Sequence, residues 1–276
     1  MTTMWTTEHL PADPSYMSPS GATEIRVLPS FEQGEIVHAT MATGEISTPA
    51  VLSTILEIFY VLEGTGELWR KLEDWEHVVD LIPGRCVSMP AGICFQYRAT
   101  GKVPMRFLVI TMPQWRREYW REAVEGFWSA EQRTRPPELP DPKAYPWGNT
   151  DLAGKPDHLA PDGSEIRLLL NDDQDERGGV AHCTLPMGKT SHAVKHTKVV
   201  EVWYVIEGQG QVWRRDDAAE EVVDVETGTC LTIPAGTSFQ FRASAAGSLR
   251  ILIGTFPSWP GPHEAHPVDG HWPKDA

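Results

Sequence analysis

No run of this 276-residue chain approaches about 18 consecutive apolar residues, so nothing in it is expected to cross a bilayer as a helix. Basic residues are in short supply. Lys plus Arg number 24 against 38 Asp plus Glu, a net charge of −14. Phosphate backbones and anionic lipid repel such a chain, so no nucleic-acid or membrane partner is expected. Cysteine is scarce too: the four present form no CxxC pair, which argues against a zinc ribbon or a disulfide framework. Reduced thiols point to a cytoplasmic protein. The opening MTTMWTTEHLPADPSYMSPSG lacks the basic flank and apolar run of a secretory leader. HExxH, GxSxG and Walker sequences are also missing.

What the chain does have is a repeat. EIFYVLEGTGELWR (57–70) returns as EVWYVIEGQGQVWR (201–214), an offset of 144. The same offset carries His38 onto His182, Gly44 onto Gly188, and GRCVSMPAGICFQYRA (84–99) onto GTCLTIPAGTSFQFRA (228–243). A unit of about ninety residues used twice is too long and too few for a solenoid, so each copy is a domain. Within a copy, short β-branched and aromatic runs are punctuated by Gly, Pro and polar turns roughly every 8–12 residues, the signature of an antiparallel sandwich or barrel. Apolar residues make up 41%, enough for a core in each. Between the copies, Trp115, Tyr119, Trp120, Val124 and Trp128 fall near helical spacing and predict an amphipathic helix over 113–128. A stiff Pro-rich linker, 135–148, follows it. Gly64-Thr-Gly66 and Gly208-Gln-Gly210 begin hairpin-like turns with no helix after them, which disqualifies a dinucleotide or phosphate loop.

On these residues the chain resembles the cupin superfamily, and within it a two-domain bicupin. The family's first motif runs Gly, five residues, His-x-His, three or four residues, Glu, six residues, Gly. The second copy matches it at Gly188, His196, Glu201 and Gly208, but Val194 stands at the first His. The second motif, Gly, five residues, Pro-x-Gly, two residues, His, three residues, Asn, is matched at Gly228, Pro234 and Gly236, with Phe239 for the His and Ala243 for the Asn. In the first copy Gly44, Glu57, Gly64, Gly84, Pro90 and Gly92 fit, while Ala50, Leu52 and Phe95 replace all three histidines. The resemblance implies an all-β fold of two tandem jelly-roll barrels joined by a short helix and the Pro-rich linker. The expected layout is an arm (1–21), a first barrel (22–112), helix and linker (113–160), a second barrel (161–256) and a C-terminal arm (257–276).

The resemblance also implies chemistry on a small organic molecule, with several readings open. One is a metal-dependent isomerase, cyclase, lyase or dioxygenase working in the second barrel. Strand residues i and i+2 face the same way about 6.6 Å apart, which is why a His-x-His pair converges on one ion. His196 and Glu201 would hold a divalent iron, manganese, nickel or zinc, and His192 or His182 would complete the set, although the four extended residues from His192 to His196 span about 13 Å. A second reading is a metal-free barrel using Glu201 or Glu57 as acid or base, because burial among Leu52, Phe59 and Phe95 would raise the Glu57 pKa. A third is binding without turnover. In each, Trp203, Phe239, Phe241, Phe95 and His182 are the expected substrate-pocket residues, forming an aromatic lining. A homodimer is expected through Trp115, Trp120, Trp128, Trp259 and Trp272.

Overall fold

The computed structural model describes residues 5–123, 125–128, 134–136, 146–170 and 176–273. The short apolar runs form strands throughout, and no α-helix occurs among the described residues. Two compact units result: Pro11–Leu28 with Gly34–Asp151, and Leu152 onward with Pro29–Gln33 and the segment through Leu10.

Each unit pairs a seven-stranded with a five-stranded antiparallel sheet, a jelly-roll barrel. In the first, the larger sheet runs Asn149–Asp151, Arg85–Met89, Leu56–Glu63, Met105–Met112, Glu35–Met41, Thr23–Arg26, Tyr16–Met17. The smaller runs Trp120–Glu122, Ala50–Leu52, Cys94–Ala99, Gly66–Leu72, Trp75–Leu81. The second unit repeats this, from Thr7–His9 through Thr229–Ile233, Val200–Glu207, Leu249–Phe256, Gly179–Leu185 and Glu165–Leu170 to His158–Leu159. Its smaller sheet runs Glu220–Glu226, Gln209–Arg215, Ser238–Ala243, Val194–His196, Ala265–Pro267.

Period-two alternation decides what each barrel contains. From Leu56–Glu63 it turns Glu57, Phe59 and Val61 inward, and from Val200–Glu207 it turns Glu201, Trp203 and Val205 inward. Fully buried side chains such as Phe107 and Phe241 each contribute about 2 kcal/mol by leaving water. The motif glycines close the hairpins: Gly208 has φ 92°, and a Cβ there would lie 2.1 Å from the Ser248 carbonyl oxygen. Only glycine fits that approach.

The repeats exchange their leading strands. Thr7–His9, from ahead of the first repeat, pairs with Thr229–Ile233 of the second barrel; Asn149–Asp151, from ahead of the second, pairs with Arg85–Met89 of the first. A buried arginine holds each. Arg70 donates to the carbonyls of Ser88 (2.8 Å) and Gly148 (3.2 Å) and to Asn149 Oδ1 (2.5 Å). Its counterpart Arg214 donates to the carbonyls of Thr232 (2.8 Å) and Thr6 (3.2 Å), to the Thr7 hydroxyl, and to Glu221 Oε1 (2.5 Å).

The expected helix needs correction. The 113–128 segment is not a helix: Arg117–Tyr119 is a single 3-10 turn and Trp120–Glu122 is extended against Ala50–Leu52. Its aromatics spread over the barrel instead of lining one helix face: Trp115, Tyr119 and Trp120 pack on the main core, Trp128 on a satellite around Trp69 and Phe127. Val124 and most of the Pro-rich linker, residues 137–145, lie outside the described residues. Residues 7–9 and 16–17 of the expected N-terminal arm are strands in two different sheets. The C-terminal arm lies on the barrel that precedes it: Ala265–Pro267 pairs with Val194–His196, and Trp272 and Gln240 exchange hydrogen bonds at 2.9 and 3.1 Å. All four cysteines are free thiols.

Candidate functional site

The second barrel encloses a cavity of about 740 Å³. Strand Val194–His196 brings in His196, and Val200–Glu207 brings in Glu201 and Trp203. Phe239 enters from Ser238–Ala243, and Ile253 and Thr255 from Leu249–Phe256. Trp259 and Pro262, from the tail, wall one side. The tail also holds His196 in place, since His196 stands opposite Ala265 in the register and Glu264 accepts from the backbone N–H groups of Lys198 (2.5 Å) and Val199 (2.8 Å) just beyond it.

His196 and Glu201 are 4% and 5% exposed, and His196 Nδ1 lies 3.7 Å from Glu201 Oε1. The other carboxyl oxygen accepts from Trp203 Nε1 at 2.8 Å. His196 Nδ1 has no hydrogen-bond partner among the described residues. Its ring meets Phe239 and Trp259 edge-on, each at 5.0 Å between centres. Burial governs the charges. It pushes the Glu201 carboxyl up to about 8, against the pull of the Trp203 hydrogen bond, and holds the His196 imidazole down at about 4, although Asp162 and Glu264 pull the other way. A group at about 8 does not give its proton to one at about 4, so at neutral pH the two form a neutral acid beside a neutral base. At the rim, Asp162 accepts from the Ser164 N–H (2.8 Å) and hydroxyl (2.7 Å), and burial raises its carboxyl as well.

The other expected pocket residues are distributed differently. Phe241 backs Trp203 in the core, 5.1 Å between ring centres, and does not line the cavity. His182 is buried on the opposite face of its strand, where Ala181 takes the cavity side; its imidazole is held down at about 4 by burial. Its place in the pocket is therefore corrected by strand alternation. His192 is exposed, with Nδ1 3.3 Å from the Pro161 carbonyl oxygen and outside the cavity lining. Gln96 and Gln240, the neighbours of Phe95 and Phe239, are buried on the other face of their strands, donating to the carbonyls of Ser47 (2.8 Å) and Ser191 (2.9 Å). Asp162, Ser164 and Trp259 were not anticipated as lining residues. The Asp-Gly-Ser turn at 162–164 was the available signal for the first two.

The first barrel keeps only a small cavity, about 70 Å³, lined by Glu57, Phe59 and Phe95 among others. One sheet row differs between the two. Glu35 stands in register across Thr111 from Glu57, whereas the second barrel has Gly179 across Thr255 from Glu201.

The donors do not fit a transition-metal ion. Such sites draw three or four protein ligands. Here one Glu201 oxygen is engaged by Trp203, His192 is turned away, and no three His, Cys, Asp or Glu groups converge among the described residues.

Comparison with known proteins agrees with this architecture. The cupin domain model matches residues 37–111 and 181–254. The chain is similar in structure to vicilin from Capsicum annuum (TM-score 0.69, 14% identity, 92% of this chain and 86% of that one). It is also similar to procruciferin, the 11S globulin of Brassica napus (0.68, 14%, 95% and 85%). A third is the 11S globulin from Wrightia tinctoria (0.70, 12%, 96% and 86%), whose structure is described as revealing an auxin binding site. No curated protein matches the sequence. The chain belongs to the cupin family and is a two-domain bicupin.

Proposed function

We propose that the second barrel is a metal-free acid–base site for a small, uncharged, largely apolar organic substrate bearing a carbonyl group, with an isomerase, cyclase or lyase reaction. One observation carries this reading: His196 and Glu201, buried 3.7 Å apart at the cavity wall and facing it without charge. Glu201 is the proton donor, its O–H directed to a substrate oxygen, with the Trp203 N–H fixing its second oxygen. His196 is the proton acceptor, its free Nδ1 lone pair taking a proton from the adjacent carbon. On a β,γ-unsaturated ketone, His196 then returns its proton to the γ carbon while the enol O–H gives its proton back to Glu201, which completes an isomerisation without any change in oxidation state. Trp203, Phe239 and Trp259 hold the substrate's apolar body and keep water away, which sustains both shifted pKa values.

The second reading is binding without turnover. What favours it is the Wrightia tinctoria globulin, a protein of this fold described as having an auxin binding site. One experiment separates the two. Uncharged cyclic and aromatic ketones are incubated with the protein in D₂O and followed by proton NMR. Exchange of the hydrogen next to the carbonyl that is lost in Glu201→Gln and His196→Ala supports the enzyme. Saturable binding with no exchange supports the binding protein.

A further inference from the structure

The first barrel places two carboxyls in one sheet row where the second has one. Glu35 and Glu57 flank Thr111 in one row across three adjacent strands, so both carboxyls enter the same small cavity from the same sheet face. Glu35 is held: it accepts from the Thr111 hydroxyl at 3.1 Å and the Trp115 N–H at 3.0 Å. Glu57 is not. It is 9% exposed, lines the cavity, and has no hydrogen-bond partner among the described residues. A buried carboxyl is ordinarily given donors. Neither Lys, Arg nor His is among the residues lining this cavity. The wall around the two acids combines aromatic rings, Tyr16, Phe59, Phe95, Trp115 and Trp120, with the hydroxyls of Ser20, Thr23 and Tyr97, which bond to one another.

We propose that this cavity is a binding site for a compact alkylammonium ion, seated between Glu57 and the aromatic wall. The cavity gives Glu57 no donor, so its ionised form has only an incoming cation to pair with, and aromatic faces attract organic ammonium ions through their quadrupoles. The volume, about 70 Å³, accommodates roughly five water-sized groups, the scale of a methylated amine. The groups facing Glu57 electrostatically are Glu35 across Thr111, Tyr16 at the mouth and Tyr97 behind, none of them positively charged. Burial and then the nearby Glu35 push the empty site's Glu57 up to about 8, so an arriving cation displaces its proton.

The proposal is independent of any activity in the second barrel. Its test is calorimetric titration of the whole chain with methylammonium and trimethylammonium chloride against sodium chloride at equal ionic strength. With Glu57 near 8, its ionised fraction rises from about 3% at pH 6.5 to about 76% at pH 8.5, so affinity should rise roughly twenty-fold. The heat should depend on the buffer's ionisation enthalpy, reporting the released proton. Glu57→Gln, which retains shape and removes charge, should abolish binding. Trp115→Leu, which retains both acids, should weaken it. Saturable binding with that pH response establishes the site. No saturable binding, binding matched by sodium, or binding that survives in Glu57→Gln overturns it.

Discussion

In the second barrel, His196 Nδ1 stands 3.7 Å from Glu201 Oε1, both side chains nearly sealed from water. In water this would be an ion pair. Here desolvation outweighs the attraction, and the pair is neutral because each charged form loses more hydration than its partner returns.

The two groups should move stability in opposite directions with pH. Glu201 has a folded pKa of about 8, raised above its ordinary value of 4.5, so its stabilisation is complete below 4.5 and is lost as pH rises through 8. His196 has a folded pKa of about 4, lowered from 6.5, so its contribution is present above 6.5 and lost as pH falls toward 4. Relative to Glu201→Gln, the wild type should lose up to roughly 1.4 kcal/mol per pH unit across the Glu201 window. Urea unfolding of both proteins between pH 5 and 9 checks this. Parallel curves would contradict it.

Chelation should leave the second barrel unaffected. Prolonged dialysis against a strong chelator should change neither the melting temperature nor the affinity for an uncharged aromatic probe such as 1-naphthol. Near-stoichiometric transition metal that disappears in His196→Ala would show instead that the two donors recruit a further ligand.

Cavity volume should decide binding. Ala181 lines the cavity on the strand whose next residue, His182, faces away. Ala181→Leu adds bulk toward open space, so the fold should survive with a stability change of about 1 kcal/mol while 1-naphthol binding falls at least ten-fold. Unchanged affinity in calorimetry would place the probe elsewhere.

Arg214 should be a structural clasp. Removing it by Arg214→Met takes a charged donor from the carbonyls of Thr6 and Thr232 and leaves Glu221 without its partner. The expected loss is about 3 kcal/mol, with faster amide exchange at Glu8 and His9 as their strand loosens. Arg70→Met should do the same at Asn149–Asp151. A change within 0.5 kcal/mol of zero, about what an ordinary surface substitution gives, would contradict the clasp.

The duplicated barrels were legible in the sequence because hairpin glycines and inward-facing residues recur at a fixed offset. Gly64 and Gly208, Glu57 and Glu201, and Phe95 and Phe239 each hold equivalent places. The leading-strand exchange was not legible, because three-residue strands such as Thr7–His9 have no periodicity and find their partner only in the folded chain. The tryptophan spacing at 115–128 imitated a helix, but the open edge at Ala50–Leu52 captured Trp120–Glu122 as a strand. His192 shares a parity with His196, yet the chain leaves the strand before reaching it and the ring turns to Pro161. The second carboxyl of the first cavity, Glu35 where the other barrel has Gly179, lies outside the two family motifs and meets Glu57 only through register.

Infrared difference spectroscopy of wild type minus Glu201→Gln at pH 7 tests the central claim most directly. The account predicts the carbonyl stretch of a protonated carboxylic acid, persisting until pH approaches 8 and then giving way to carboxylate bands. Carboxylate bands alone at pH 7 would show that Glu201 is ionised, and the acid–base pair with His196 would be contradicted.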